Sequence, residues 1–143
     1  MAAPPIALVR HLPFFADLRP TELERVAEAF DERSFHPGDV ITEEGTRGGS
    51  LFVVAEGEAG VTVRGDFVRT LRPGDFFGEV ALADSGRLRS ATVRANTELL
   101  TYSLTASNFE PLLEAYPGVA RQLLKILVKR LHEAEARLEN RNQ

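Results

Sequence analysis

The residues able to do chemistry are concentrated between Phe76 and Val93, in the run FFGEVALADSGRLRSATV. Glu79 and Arg89 stand there among apolar neighbours and beside Gly78, so two charges sit where most of the segment seeks burial. Buried charge needs a partner. An internal salt bridge between the two is one solution, although desolvation offsets most of what such a pair gains. The other is a pocket for a ligand that carries both an anion and hydroxyl groups. Gly78 lets backbone approach a ligand closely, and Val80-Ala81-Leu82 is long enough for one helical turn whose unpaired N–H groups attract an anion. The planar fork of Arg89 can bind two phosphate oxygens, Ser90 adds a hydroxyl, and the backbone around Ala91 adds donors. Glu79 cannot hold phosphate, but a carboxylate beside an anion site is suited to accept hydrogen bonds from sugar hydroxyls. The two residues together describe a sugar phosphate.

Phe77-Gly78-Glu79-Val80-Ala81-Leu82 followed by Arg89-Ser90-Ala91-Thr92-Val93 resembles the phosphate-binding cassette of cyclic nucleotide-binding domains. These domains occur in bacterial catabolite activators, in regulatory subunits of cyclic nucleotide-dependent kinases and in cyclic nucleotide-gated channels. The resemblance implies that Glu79 takes the ribose 2′-hydroxyl and Arg89 the cyclic phosphate. Gly78, Ser90 and Ala91 would line the phosphate site, with Phe77, Val80 and Ala81 completing the ligand-binding set. The ten-residue step from Glu79 to Arg89 is similar to the bacterial activators and one residue longer than is usual in the kinases. Arg87 lies nearby, but the Ser-Ala-Thr-Val run that follows sets the register on Arg89. Ser90 is compatible with either purine; the bacterial-type spacing favours cAMP, with cGMP as the second choice. The family's last helix caps the base, which here points to the region from Leu123 to Leu131.

At 143 residues the chain is expected to be one domain, burying roughly two-thirds of its unfolded surface. The net charge of −4 lacks the basic footprint of a nucleic-acid binder. With no cysteine there is neither a disulfide nor a thiolate metal site, which fits a reducing compartment. No signal-like N-terminus and no apolar run of membrane-spanning length is present, so the expected location is cytoplasmic, with no membrane and no nucleic acid among the partners.

The elements that must position the cassette follow from periodicity. Leu23, Val26, Ala27 and Phe30 recur at helical spacing after Pro20, a good first helical residue. After Asp31 the period becomes two. Strands are predicted at Asp39–Thr42, Leu51–Ala55, Gly60–Val63, Phe67–Leu71, Ala91–Ala95 and Leu99–Leu104. His36-Pro37-Gly38-Asp39 and Arg72-Pro73-Gly74-Asp75 form an internal repeat of type II turns. From Thr105 the helical period returns: Phe109, Leu112, Leu113 and Tyr116 share a face, with Pro111 either near the start of the helix or at a kink. A longer helix runs from about Val119 to Glu139, roughly 30 Å. Ala120, Leu124, Leu127, Leu131, Ala134 and Leu138 form a coiled-coil seam along it, suited either to a dimer interface or to covering the chain's own domain. Val119, Leu123, Ile126 and Val128 widen the face in its first half, which is expected also to pack on the β-roll.

The expected fold is thus mostly β with flanking α, an antiparallel β jelly roll with N-terminal helices and two C-terminal helices. Residues 1–30 form the N-terminal helical segment, 31–104 the β-roll and 105–143 the C-terminal helices. The Gly-rich stretch Glu44–Ser50 matches neither a P-loop nor a dinucleotide fingerprint and reads as a hairpin loop. His11, His36 and His132 are too scattered for a metal triad, and no Ser-His-Asp grouping stands out, so no catalytic residue, metal or cofactor is expected. The expected function is a cyclic nucleotide receptor that repositions its C-terminal helix. Since no helix-turn-helix, kinase or pore follows, it would signal by homodimerising or by presenting that helix to a partner protein. The alternatives are a ligand-free structural or dimerisation module on the same fold and a DNA-binding regulator.

Overall fold

The computed structural model describes residues 3–84 and 86–141, so the expected outer bounds at residues 1 and 143 lie outside the described residues. Two helices, α1 (Ile6–His11) and α2 (Pro20–Ala27), flank a 3-10 turn at Pro13–Phe15. Eight strands follow among the described residues: β1 (Asp31–Phe35), β2 (Val40–Thr42), β3 (Ser50–Glu56), β4 (Ala59–Val63), β5 (Asp66–Leu71), β6 (Phe76–Phe77), β7 (Thr92–Ala95) and β8 (Leu99–Thr105). The short helix α3 (Val80–Ala83) interrupts them between β6 and β7, and α4 (Ala106–Ala115) and α5 (Pro117–Arg141) close the chain.

The strands form two four-stranded antiparallel sheets, ordered β1-β8-β3-β6 and β2-β7-β4-β5, which is the jelly roll expected. Two strands lie beyond the predicted six. β1 reads Asp-Glu-Arg-Ser-Phe and is an edge strand without a fully buried residue, so it carries no apolar alternation to detect. β6 is only two residues long and sits at the head of the cassette.

β3 shows why the roll and the helices form one body. Its Leu51 and Val53 point into a cluster with Phe14, Phe15, Leu23, Phe109, Val119 and Leu123, whereas Phe52 and Val54 join Ala59, Val61, Leu71, Phe77 and Val93 between the sheets. A strand covered on both faces reads as an unbroken apolar run. The repeated turns are built alike. In each, the backbone N–H of the first residue donates to the aspartate side chain at 2.8 Å, and the glycine sits at φ +91° (Gly38) or +93° (Gly74). Gly38 N–H donates to Ala95 and Gly74 N–H to Val54, each at 2.8–2.9 Å, so one turn ties down each sheet. In α4 the side chain of Thr105 accepts from Asn108 N–H at 3.1 Å as N-cap, and Pro111 lies inside the helix, which begins at Ala106.

Candidate functional site

The cassette is a short bent segment held against the start of β3. Gly78 has φ +83°, a left-handed conformation open to glycine, and turns the chain from β6 into α3. A Cβ at Gly78 would lie 2.6 Å from both the Ser50 carbonyl oxygen and Nη1 of Arg89, so the lack of a side chain is what lets these groups meet. Ala81 and Leu82 N–H donate to Gly78 and Glu79 carbonyls at 3.1 Å, closing the turn that the apolar run predicts. Phe77 is buried and its ring stacks on Phe52 with centroids 5.2 Å apart, so the ring belongs to the core. Ala81 is also buried, Val80 and Ala91 are half-buried, and Ser90 is exposed.

Arg89 reaches the site from the other arm of the segment. Its backbone N–H donates to Thr46 at 2.7 Å and its carbonyl accepts from Gly45 N–H at 2.9 Å, while Arg47 and Leu88 form a β-bridge. The first half of the Glu44–Ser50 loop is therefore paired with the arginine segment. The half-buried guanidinium donates from Nη2 to the Ser50 carbonyl at 2.9 Å. Burial pushes the Arg89 pKa down and the nearby Glu79 charge pushes it partly back; a guanidinium starts so high that it stays charged. Arg87 is exposed, in keeping with the register on Arg89.

Glu79 is 3% exposed, and among the described residues its ion-pair partner is Arg130 of α5, not Arg89. The internal Glu79–Arg89 bridge is thus not formed, and the last helix is fastened to the cassette by charge. Arg130 falls within the stretch from Leu123 to Leu131, but no apolar pattern singles it out. Its signal is positional: Val119, Leu123 and Leu127 make the stripe of α5 that packs on the core, and Arg130 is the next residue on it. A cavity of about 670 Å³ opens between α3 and α4, with Ser50, Leu82, Thr105, Phe109 and Leu113 among its walls. Among the described residues no group of three or more His, Asp or Glu is placed to hold a metal ion. None of their helices is long and apolar enough to cross a membrane.

A closed β-roll presenting a fixed guanidinium and a buried carboxylate on one short segment has the architecture of a ligand-binding regulatory domain. The model of the cyclic nucleotide-binding domain matches residues 32–116, more than half of the chain. The potassium/sodium hyperpolarization-activated cyclic nucleotide-gated channel 2 of Homo sapiens is 36% identical over 124 residues, which is 87% of this chain and 14% of the channel. Among solved structures, the catabolite activator protein of Thermus thermophilus matches with a TM-score of 0.83 at 31% identity, covering 92% of this chain and 63% of that one. A cAMP-bound PfPKA-R fragment matches with a TM-score of 0.76 at 26% identity, covering 96% of this chain and 46% of that one. The chain belongs to the cyclic nucleotide-binding domain family.

Proposed function

We propose that this chain is a cytosolic cyclic nucleotide receptor module, without catalytic activity, that takes cAMP in preference to cGMP and signals through α5. Arg89 would hold the cyclic phosphate, Glu79 the ribose 2′-hydroxyl, and Gly78, Ser90 and the backbone at Ala91 would line the phosphate site. The observation that carries this reading is the state of Arg89: charged, half-buried, and donating to a neutral carbonyl with no carboxylate paired to it among the described residues. Such a group is suited to an anion. The cAMP in the PfPKA-R structure supports the choice of nucleotide.

The Glu79–Arg130 pair supplies the link to α5. A carboxylate has about four lone-pair sites, enough to accept a ribose hydroxyl while keeping the guanidinium. Ligand and docked helix would then favour each other, to the extent that the ligand binds the docked state better than the undocked one. α5 leaves Leu124, Val128, Leu131 and Leu138 exposed, which supports an output through a second copy or a partner helix.

Calorimetric titration with cAMP and cGMP, on protein shown to be free of co-purified nucleotide and repeated on Glu79→Ala and Arg89→Ala, tests the proposal. Binding that weakens in both variants and is tighter for cAMP is expected. No heat from either nucleotide on folded protein would turn the reading to a structural module acting through the exposed leucines, to be read from the sedimentation mass of wild type against Leu131→Glu.

A further inference from the structure

We propose that Gly48 is a positioning residue for Arg89, forming with Gly78 a slot that fixes how the guanidinium faces an incoming anion. Its consequence for binding rests on the nucleotide reading; the slot itself does not. A Cβ built on Gly48 would lie 2.6 Å from Nη2 and 2.7 Å from Cζ of Arg89, and would also collide with Nε. At Gly78 the atom met is Nη1. Two bare Cα positions thus confine different edges of one fork. The loop cannot back away, because Thr46 and Gly45 are bonded through backbone to Arg89 itself and Arg47 is bridged to Leu88. Any side chain at Gly48 must therefore push the guanidinium out, breaking its bond to the Ser50 carbonyl.

The two glycines differ in what they protect. Gly78 is left-handed, and a Cβ there also meets the Ser50 carbonyl, so its loss disturbs the fold. Gly48 is outside the left-handed region, and the atoms it would strike belong to the far end of a flexible side chain. Alanine at Gly48 is therefore compatible with the backbone and costs the fold little. Its effect falls on the direction in which Arg89 points, to which bidentate anion binding is sensitive.

The test is Gly48→Ala, read three ways. In nucleotide-free protein the Arg89 Nε–H resonance, identified by its absence in Arg89→Ala, should move, with at least tenfold faster proton exchange. The thermal midpoint should stay at or above that of wild type, and the calorimetric Kd for cAMP should weaken at least tenfold. An unchanged Arg89 resonance overturns the slot whether or not any nucleotide binds. A displaced resonance with unchanged cAMP affinity overturns its role in binding. Wild type that binds neither cAMP nor cGMP overturns the nucleotide reading, and the resonance still decides the slot. If Gly48→Ala loses stability, the double variant with Arg89→Ala should match Arg89→Ala alone, since removing the guanidinium removes the collision; a double variant that remains less stable places the clash elsewhere and overturns the slot.

Discussion

The two charges of the cassette are held by opposite means. Arg89 is fixed by the β-roll: backbone bonds from Thr46 and Gly45, a carbonyl from Ser50, and glycine at Gly78 where a side chain would intrude. Glu79 is covered by something that belongs to a different part of the chain, a guanidinium on α5. One wall of the site is thus built into the sheet and the other is hung on a helix. The same contrast runs along α5 itself. Val119 and Leu123 are buried in the core and Ile126 and Leu127 pack at its edge, whereas Leu131 and Leu138 are more than half exposed. On the proposed function, the rigid wall would recognise the ligand and the attached one would report it.

The sharpest way to break the comparison is to remove the rigid wall's charge. Arg89→Ala is expected to weaken cAMP binding by about a thousandfold, roughly 4 kcal/mol, because a buried charge-assisted contact to the phosphate is lost. The fold should persist, since among the described residues the guanidinium's one hydrogen bond is to the Ser50 carbonyl at the start of β3. Calorimetry together with a thermal melt checks both halves; a melt that collapses along with binding would make Arg89 a structural residue.

The two halves of α5 can be set against each other by one substitution made twice. Leu123→Ala empties a site that is 6% exposed and should destabilise by about 2–3 kcal/mol. Leu131→Ala acts on a side chain that is 57% exposed and should change stability by less than about 0.5 kcal/mol. Denaturant unfolding of both variants gives the difference. Equal losses would mean that the outer half is buried in solution, as pairing with a second copy would require.

Arg130→Ala tests the fastening alone. The ion pair has a buried carboxylate and a guanidinium that is 44% exposed, so solvent weakens it and about 1–2 kcal/mol is expected. That predicts amide exchange over residues 124–139 accelerated roughly 5- to 30-fold, with the strands of the roll unchanged. Acceleration spread evenly over the protein would mean that Arg130 supports the whole fold.

What could be read from sequence follows the same division. The candidate residues could be named from sequence because they are local: Gly78, Glu79, Arg89 and Ser90 lie in one segment, and the two turns show as a repeated Pro-Gly-Asp. β1 was not legible, because an edge strand of mostly polar residues has no buried face to impose a pattern. Nor was the ion pair, since residues 79 and 130 are brought together by the packing of α5 and by nothing in their neighbourhoods. The seam shows what a helix with two adjacent apolar stripes leaves open. Heptad spacing placed Leu127 between Leu124 and Leu131, but the core takes Leu127 as a partly buried neighbour and leaves Val128 outside. The wider face of the first half was legible: Val119, Leu123 and Ile126 meet the core as expected, and of that set Val128 stays outside.

The smallest expected effect lies at the first of the two repeated turns. His36 Nδ1 is 3.1 Å from a Glu98 carboxylate oxygen, and its pKa is raised by that hydrogen bond first, then by the charges of Glu98 and Asp39. A histidine pKa raised by folding means that the native state binds the proton more tightly than the unfolded chain. The contribution is therefore complete below the unfolded value of about 6.5 and is lost as pH rises through the folded one. Thermal midpoints of wild type and Glu98→Gln, taken from pH 5 to 9, should differ slightly at the acid end and converge at the alkaline end. Cyclic nucleotide affinity should be untouched throughout, because among the described residues neither side chain of the His36–Glu98 pair is bonded to Gly78, Glu79, Arg89 or Ser90; an affinity that follows the midpoint would show that the first turn and the site are coupled.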